Sequence, residues 1–285
     1  TGQVGKPVAK AFAAQGEEVH GLARFKDPAA LEEMEEAGVI CHAVDLIEPD
    51  LADVPTEVDH LLNFAVTKTG KWDKDLAANA EAAGLLMSHC RGARSALHCS
   101  STAVYAPNGG VPMHEDDPLG RDHHQHLMPT YSTAKTAAES VVQFAAREFD
   151  LPTTIARLCV PYGDDGGWPL FNLLMAMGDS PIPVHPDGSR YNPIHHDDII
   201  RQIPALLDAA TVPATIVNWG SDEIVSVREW TGFLADIAGV EPMFEETEHT
   251  IPSACVDTER LGSIAPPCEV SWRDGFRRLA EQALA

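Results

Sequence analysis

Tyr131 and Lys135 stand four residues apart in Tyr131-Ser132-Thr133-Ala134-Lys135, about thirty residues after the serine-bearing stretch Cys99-Ser100-Ser101-Thr102-Ala103-Val104-Tyr105. Residues four apart share a helix face, so the spacing predicts that Lys135 projects beside Tyr131. A neighbouring ammonium favours phenolate over phenol. Free tyrosine titrates near ~10, so its use as a base near neutrality requires a shift of roughly three units, on the order of 4 kcal/mol. One lysine, a cationic nicotinamide and a serine hydroxyl can supply that shift jointly, which points to hydride chemistry.

Chemistry of that kind needs an element that holds a dinucleotide. The chain opens Thr1-Gly2-Gln3-Val4-Gly5, followed by a helical run with Val8 and Phe12 and a strand-like stretch, Glu18-Val19-His20-Gly21-Leu22-Ala23. Glycines at such a turn let a pyrophosphate approach the helix N-terminus, where free N–H groups and the helix dipole bind anions. Helical and strand patterns then alternate. A helix is expected near 28 to 38, strands near 39 to 44 and 58 to 65, and a helix near 73 to 91. A strand near 95 to 99, the tyrosine helix near 130 to 149 and a strand near 153 to 159 follow. This alternation implies an α/β fold, a parallel sheet wrapped by helices. From Tyr162-Gly163 onward the chain is richer in Pro, Gly and Asp. Here a helix near 168 to 177, short strands around 182 to 194, a helix near 197 to 209 and a terminal helix from Trp272 are expected.

Together these residues resemble the extended short-chain dehydrogenase/reductase superfamily, the NAD(P)-dependent epimerase/dehydratase group, over nearly the whole chain. The resemblance implies a Rossmann-like doubly wound parallel sheet with a smaller C-terminal substrate lobe. The NAD(P)-binding domain would take 1–163 plus about 194–220, and the substrate-binding lobe 164–193 and 221–285. Gly2 and Gly5 look like the second and third glycines of the family's TGxxGxxG. The first would fall two residues before Thr1, and the strand that normally precedes it is absent, so the first strand is expected to be missing from this chain. An open slot in a parallel sheet would leave backbone groups unpaired and apolar surface exposed.

The same resemblance assigns the site. Gly2, Gln3, Val4 and Gly5 would hold the cofactor pyrophosphate, Asp45 and Leu46 the adenine, and Phe64, Ala65 and Val66 would line the cofactor, with Val160, Tyr131 and Lys135 completing its contacts. An acid at the end of the second strand commonly holds the ribose hydroxyls of NAD. Ala23 stands there instead, followed by Arg24, whose guanidinium suits a 2′-phosphate, so NADP is preferred over NAD, with Lys26 next door able to serve either. The family's active hydroxyl lies four residues before the Tyr of the Val104-Tyr105 pair, which selects Ser101 to hydrogen-bond the reacting oxygen. Lys135 would also hold the nicotinamide ribose. Asn79, at the start of its helix, resembles the asparagine that orders an active-site water; helix capping is the alternative.

Thr102, Tyr162 and Arg190 are the candidate substrate contacts, Arg190 resembling the phosphate-binding arginine of nucleotide-sugar epimerases. Against such a substrate, Val160 stands where those epimerases commonly carry a diphosphate-binding Asn. Ser101-Thr102-Ala103 replaces the Thr-Asp-Glu triplet of sugar dehydratases, which disfavours that chemistry. The expected function is hydride transfer between NADP(H) or NAD(H) and a secondary alcohol or ketone. A UDP-sugar 4-epimerase and a non-catalytic NADP-sensing binding protein are the alternatives.

Composition narrows the partners. The 43 acids and 20 bases of the 285 residues give a formal charge of −23, which disfavours nucleic acid and anionic membrane and leaves a small-molecule substrate. The six cysteines form no CxxC pair, so a reducing, cytoplasmic setting is expected. No apolar stretch reaches transmembrane length. The loop from Met113 to Met128 carries His114, Glu115, Asp116, Asp117, Asp122, His123, His124 and His126; it is read as a polar rim of the active site, not as a metal centre. His195-His196-Asp197-Asp198 resembles the family's turn before a helix, with Asp197 or Asp198 as cap. Helices near 73 to 91 and 130 to 149, with Ala137, Ala138, Ala145 and Ala146, resemble the pair that forms a four-helix homodimer interface in the family.

Overall fold

A computed structural model describes residues 2–121 and 123–285. In chain order the elements are α1 (Gly5–Ala14), β1 (His20–Ala23), α2 (Pro28–Glu36), β2 (Ile40–Ala43), β3 (His60–Asn63), α3 (Trp72–Leu76), a π-helical turn (Ala77–Glu81), α4 (Ala82–His89) and β4 (Ser95–Ser101). A 3₁₀ turn (Thr102–Val104) leads to α5 (Tyr131–Glu148), β5 (Thr153–Leu158), β6 (Pro161–Gly163), β7 (Gly166–Gly167), α6 (Trp168–Met177), β8 (Ile182–Val184), β9 (Arg190–Tyr191) and β10 (Ile194–His195). The last elements are α7 (His196–Asp208), β11 (Thr215–Trp219), β12 (Val225–Ser226), α8 (Val227–Ala238), β13 (Phe244–Glu246), α9 (Glu259–Ile264) and α10 (Trp272–Leu284).

The chain forms two compact units. One comprises Thr1–Cys99, Ala134–Ile155 and Ile203–Thr215, the other Ser100–Thr133, Ala156–Gln202 and Ile216–Ala285. The cuts fall inside β4, α5, β5, α7 and β11. The four-stranded sheet has the order β11-β5-β4-β3, with β3 parallel to β4 from His60 opposite Ser95 to Asn63 opposite His98. β1 and β2 form a separate parallel ribbon from His20 opposite Ile40 to Ala23 opposite Ala43. The described residues therefore hydrogen-bond in two pieces, and neither β1 nor β3 has a second strand partner among them. Burial does not follow that division, because β3, at the edge of the larger sheet, is as open as the ribbon. β5 is buried throughout and β4 nearly so, as in a sheet covered on both faces, whereas β1, β2 and β3 are half-buried or exposed.

Local chemistry sets the helix ends. Asp27 caps α2 by accepting the Ala29 N–H at 3.1 Å, with Pro28 in the first turn, where its missing N–H costs nothing. Ser226 and Glu229 close a reciprocal capping box on α8, and Gly239, at φ 70, ends that helix in the left-handed conformation glycine tolerates. In the first unit α4 meets α5 so closely that a Cβ on Gly84 would lie 2.7 Å from Val141 Cγ1. The second unit is centred on aromatic rings: Tyr162 packs on Phe276 at 4.5 Å and Trp168 on Trp230 at 5.5 Å, both edge-to-face. Among the described residues no helix is long and apolar enough to cross a membrane.

Gly163 has no room for a side chain, because a Cβ there would lie 2.2 Å from Nδ1 of the buried His196 ring. Gly163→Ala is therefore expected to lose about 1–3 kcal/mol through overpacking, read as a lowered midpoint in urea. An unchanged midpoint would contradict this packing.

Candidate active site

In the first unit the expected cofactor residues gather at the carboxyl ends of strands, where open parallel sheets bind ligands. α1 begins at Gly5 with Val4 as its N-cap; no side chain caps it and its first turn holds no acid, so its dipole is open to an anion. A Cβ on Gly5 would lie 3.6 Å from the Cβ of Phe64, just after β3, which places this helix start against that strand end. Gly2 and Gln3 are exposed ahead of it; Thr1 lies outside the described residues. Arg24 is exposed directly after β1, beside Phe25 at φ 43. Asp45 follows β2 and accepts the Ile47 N–H at 3.1 Å, with Leu46 half-buried. After β3, Asn63 Oδ1 accepts the Ala65 N–H at 3.1 Å, Phe64 and Ala65 are half-buried, and Val66 is exposed.

Lys135 lies one turn into α5 and is only 4% exposed, its Nζ donating to the Cys99 carbonyl at 2.9 Å. Burial holds its pKa below the usual lysine value. Burial, and then the Lys135 charge, push His98 down to about 3. Asn63 Nδ2 donates to His98 Nδ1 at 3.3 Å, so the hydrogen of the neutral ring sits on Nε2, which is buried without a partner among the described residues.

Asn79 differs from expectation. It lies inside the π-helical turn, not at a helix start, and caps nothing. Its Oδ1 accepts the Thr67 N–H at 3.0 Å, and Nδ2 donates to the carbonyls of Thr67 at 2.9 Å and Asp75 at 2.7 Å, so both amide hydrogens are taken up in pinning the segment after β3.

In the second unit Ser101 ends β4 and caps the 3₁₀ turn, its Oγ accepting the Ala103 N–H at 3.2 Å, which leaves the hydroxyl hydrogen to donate elsewhere. Tyr131 opens α5, with its N–H on the Met128 carbonyl at 3.0 Å and its ring 5.1 Å from that of His124. Val160 sits at φ 38, a strained conformation for a β-branched residue, and its carbonyl accepts the Ile194 N–H at 3.1 Å. Arg190 is exposed on β9, held through its backbone N–H on Ser253 Oγ at 2.9 Å.

Two expected substrate contacts are core residues instead. Thr102 is buried beside Cys159, whose thiol burial pushes up to about 12. Tyr162 is wholly buried between Phe276 and His195, and burial drives its phenol far above the ordinary value.

The loop from Met113 to Met128 is only partly a rim. Glu115 is buried, accepting the Asn218 N–H at 2.8 Å and pairing with Arg260 at 3.5 Å. His123 is buried, its Nε2 3.1 Å from the Ser253 carbonyl and its Nδ1 3.2 Å from His124 Nδ1, while Gln125 and His126 are exposed. Asp122 lies outside the described residues. No group of three or more His, Cys, Asp or Glu is placed to hold a metal ion among the described residues. Asp198, in the first turn of α7, accepts the N–H groups of Glu269 at 2.8 Å and Val270 at 3.0 Å, tying that segment to the helix. The contact of His124 with Tyr131, and the link from His123 to Ser253, escaped sequence reasoning. The histidine cluster flagged the loop, but nothing in Thr250 to Ser253 signals its role.

Alternating parallel strands and helices, with a phosphate-ready helix start and a Tyr131-Lys135 helix, define a Rossmann-like α/β protein. The model of the NAD dependent epimerase/dehydratase family matches residues 1–220, and the chain belongs to that family. Among solved structures it is similar to UDP-glucuronic acid 4-epimerase from Bacillus cereus in complex with UDP-glucuronic acid and NAD, at 19% identity and TM-score 0.82, covering 99% of this chain and 96% of that one. It is also similar to UDP-glucose 4-epimerase from Thermotoga maritima with UDP-glucose, at 17% identity and TM-score 0.78, with 99% and 96% covered. At such identities the likeness is one of fold. A trifunctional UDP-glucose 4,6-dehydratase/UDP-4-keto-6-deoxy-D-glucose 3,5-epimerase/UDP-4-keto-L-rhamnose reductase from Arabidopsis thaliana is 23% identical over 260 residues, 83% of this chain. The chain spans 38% of that relative's length.

His98 gives the site a pH signature. Its folded pKa lies near 3, below the unfolded ~6.5, so the unfolded chain binds the extra proton between those values. Stability from keeping this ring neutral is complete above pH ~6.5 and is lost as pH falls toward 3. His98→Leu abolishes that proton uptake, so the stability difference between wild type and variant should shift toward the variant between pH 7 and pH 4, measured by urea denaturation. A difference independent of pH would contradict the assignment.

Proposed function

We propose that the protein is an NAD(P)-dependent oxidoreductase that transfers hydride at a secondary alcohol or ketone carbon. The observation that carries this reading is the buried Lys135 ammonium, fixed on the Cys99 carbonyl one helical turn after Tyr131. The cofactor residues suit a dinucleotide: the start of α1, which no side chain caps, would take a pyrophosphate, with Gly2, Gln3, Val4 and Gly5 beside it. Asp45, Leu46, Phe64, Ala65, Val66 and Val160 would hold the remainder of the dinucleotide. Exposed Arg24 suits a 2′-phosphate, so NADP is proposed over NAD, although the Bacillus cereus epimerase is in complex with NAD.

When bound, the nicotinamide supplies the hydride donor or acceptor. Ser101 donates its free hydroxyl hydrogen to the substrate oxygen. Tyr131 takes the alcohol proton during oxidation and returns it during reduction, while the Lys135 charge stabilises the phenolate. The same groups can oxidise and re-reduce one carbon. That second reading, a UDP-sugar 4-epimerase, is favoured by the exposed Arg190 and by the UDP-sugars bound to the solved relatives. Residues 1–163 with about 194–220 would serve the cofactor, and 164–193 with 221–285 the substrate. Six free cysteines suit a reducing, cytoplasmic setting.

A homodimer completes the proposal. Leu85 on α4 and Phe144 on α5 are 50% and 63% exposed, whereas Ala138, Ala145 and Ala146 are buried inside the chain. Sedimentation at micromolar concentration should show dimer, and a monomer alone would refute it.

Calorimetric titration with NADPH, NADH and UDP-sugars separates the readings. Preferential NADPH binding without a UDP-sugar response supports the reductase; tight NAD with a UDP-sugar response supports the epimerase. Tyr131→Phe should keep cofactor affinity and lose turnover about 10²–10⁴-fold. Undiminished turnover would contradict both.

A further inference from the structure

In the first unit the loop after β3 takes its shape from polar side chains, not from packing. Thr69, Gly70 and Lys71 are exposed, so apolar burial does not hold them in place. Asp75, on α3 and only 1% exposed, does so instead. One of its carboxylate oxygens accepts the Thr69 N–H at 2.8 Å and the Thr69 hydroxyl at 2.7 Å. The other accepts the Gly70 N–H at 3.0 Å and lies 3.1 Å from the Thr69 nitrogen. The Thr69 hydroxyl in turn accepts the Lys71 N–H at 3.2 Å, and Gly70 turns the chain at φ 72, a conformation that glycine adopts freely.

Asp75 and Asn79 form one anchor. The Asn79 amide holds both backbone groups of Thr67, at 3.0 and 2.9 Å, and also donates to the Asp75 carbonyl at 2.7 Å. On the other side, Asn63 at the end of β3 accepts the Ala65 N–H at 3.1 Å. Between Asn63 and Thr67 lie Phe64, Ala65 and Val66, the three residues assigned to line the dinucleotide. Their surroundings in the same unit agree with that assignment: a Cβ on Gly5 would lie 3.6 Å from the Phe64 Cβ, and the charge of Lys68, inside the loop, is felt at the buried Lys135. Every donor of the clamp points at the Asp75 carboxylate, and hydrogen bonds to a charged acceptor are the strong ones. An amide in its place would set hydrogen against hydrogen at one of the two oxygen positions, and a donor of the loop would lose its partner.

We propose that Asp75 is a positioning residue for cofactor binding. By clamping Thr69 and Gly70 it holds the segment from Phe64 to Val66 in the shape that receives a dinucleotide, so that binding does not have to order the loop. It acts through the loop and not by contact with the cofactor. The inference rests on the reading of the protein as an NAD(P)-dependent oxidoreductase.

Fluorescence titration of the full chain with NADPH and NADH tests it, using whichever cofactor the wild type binds, with urea denaturation of each variant alongside. Asp75→Asn keeps the side-chain volume and removes one acceptor; it should weaken cofactor binding about 10-fold or more. Thr69→Val, at an exposed position, deletes the hydroxyl that bridges Asp75 and Lys71 and should weaken binding about 3-fold or more at an unchanged urea midpoint. Thr69→Ser restores the hydroxyl and should bind cofactor as the wild type does. Should Asp75→Asn fail to fold, the two Thr69 variants decide by themselves. The inference is overturned by Asp75→Asn or Thr69→Val binding as tightly as the wild type, or by Thr69→Ser binding as weakly as Thr69→Val. Each of those results leaves the oxidoreductase reading standing, because the wild type binds cofactor in all of them. A wild type that binds neither NADPH nor NADH would refute that reading, and the inference with it.

Discussion

The buried ammonium of Lys135 is the constraint on which the rest of the site depends. Taking a charge out of water is costly unless it is met by hydrogen bonds, and here the Cys99 carbonyl meets it at 2.9 Å. That bond ties Lys135 on α5 to Cys99 on β4. It also sets the electrostatics nearby. Burial, and after it the Lys135 charge, holds His98, one residue from Cys99, neutral.

Much of this was legible in the sequence because it is local. The α/β alternation, the helix over Tyr131–Glu148 and the strand over Thr153–Leu158 follow from apolar periodicity, and the placing of Tyr131 and Lys135 four residues apart on one helix follows with them. What failed depended on distant partners. Thr102 is withdrawn by Cys159, Tyr162 by Phe276 from the last helix, and Asn79 by the backbone of Thr67. No local pattern announces such contacts. α8, β13 and α9 went unread amid the proline- and acid-rich composition after Tyr162.

Net charge and local charge carry separate messages. A formal −23 would repel an anionic dinucleotide. Exposed Arg24 and the start of α1, which no side chain caps and whose first turn holds no acid, are local exceptions to that overall sign in the first unit.

The central claim is that Lys135 lowers the proton affinity of Tyr131, and the four tyrosines allow it to be measured directly. Tyr105, Tyr162 and Tyr191 are buried, while Tyr131 alone is half-exposed. Ultraviolet difference titration of the phenolate band, with oxidised cofactor bound, should show one tyrosine ionising about two to three units below the free value of ~10. That step should be absent in Tyr131→Phe and move upward in Lys135→Met. Four tyrosines that all ionise above pH ~10, or an early step indifferent to Lys135, would contradict the account.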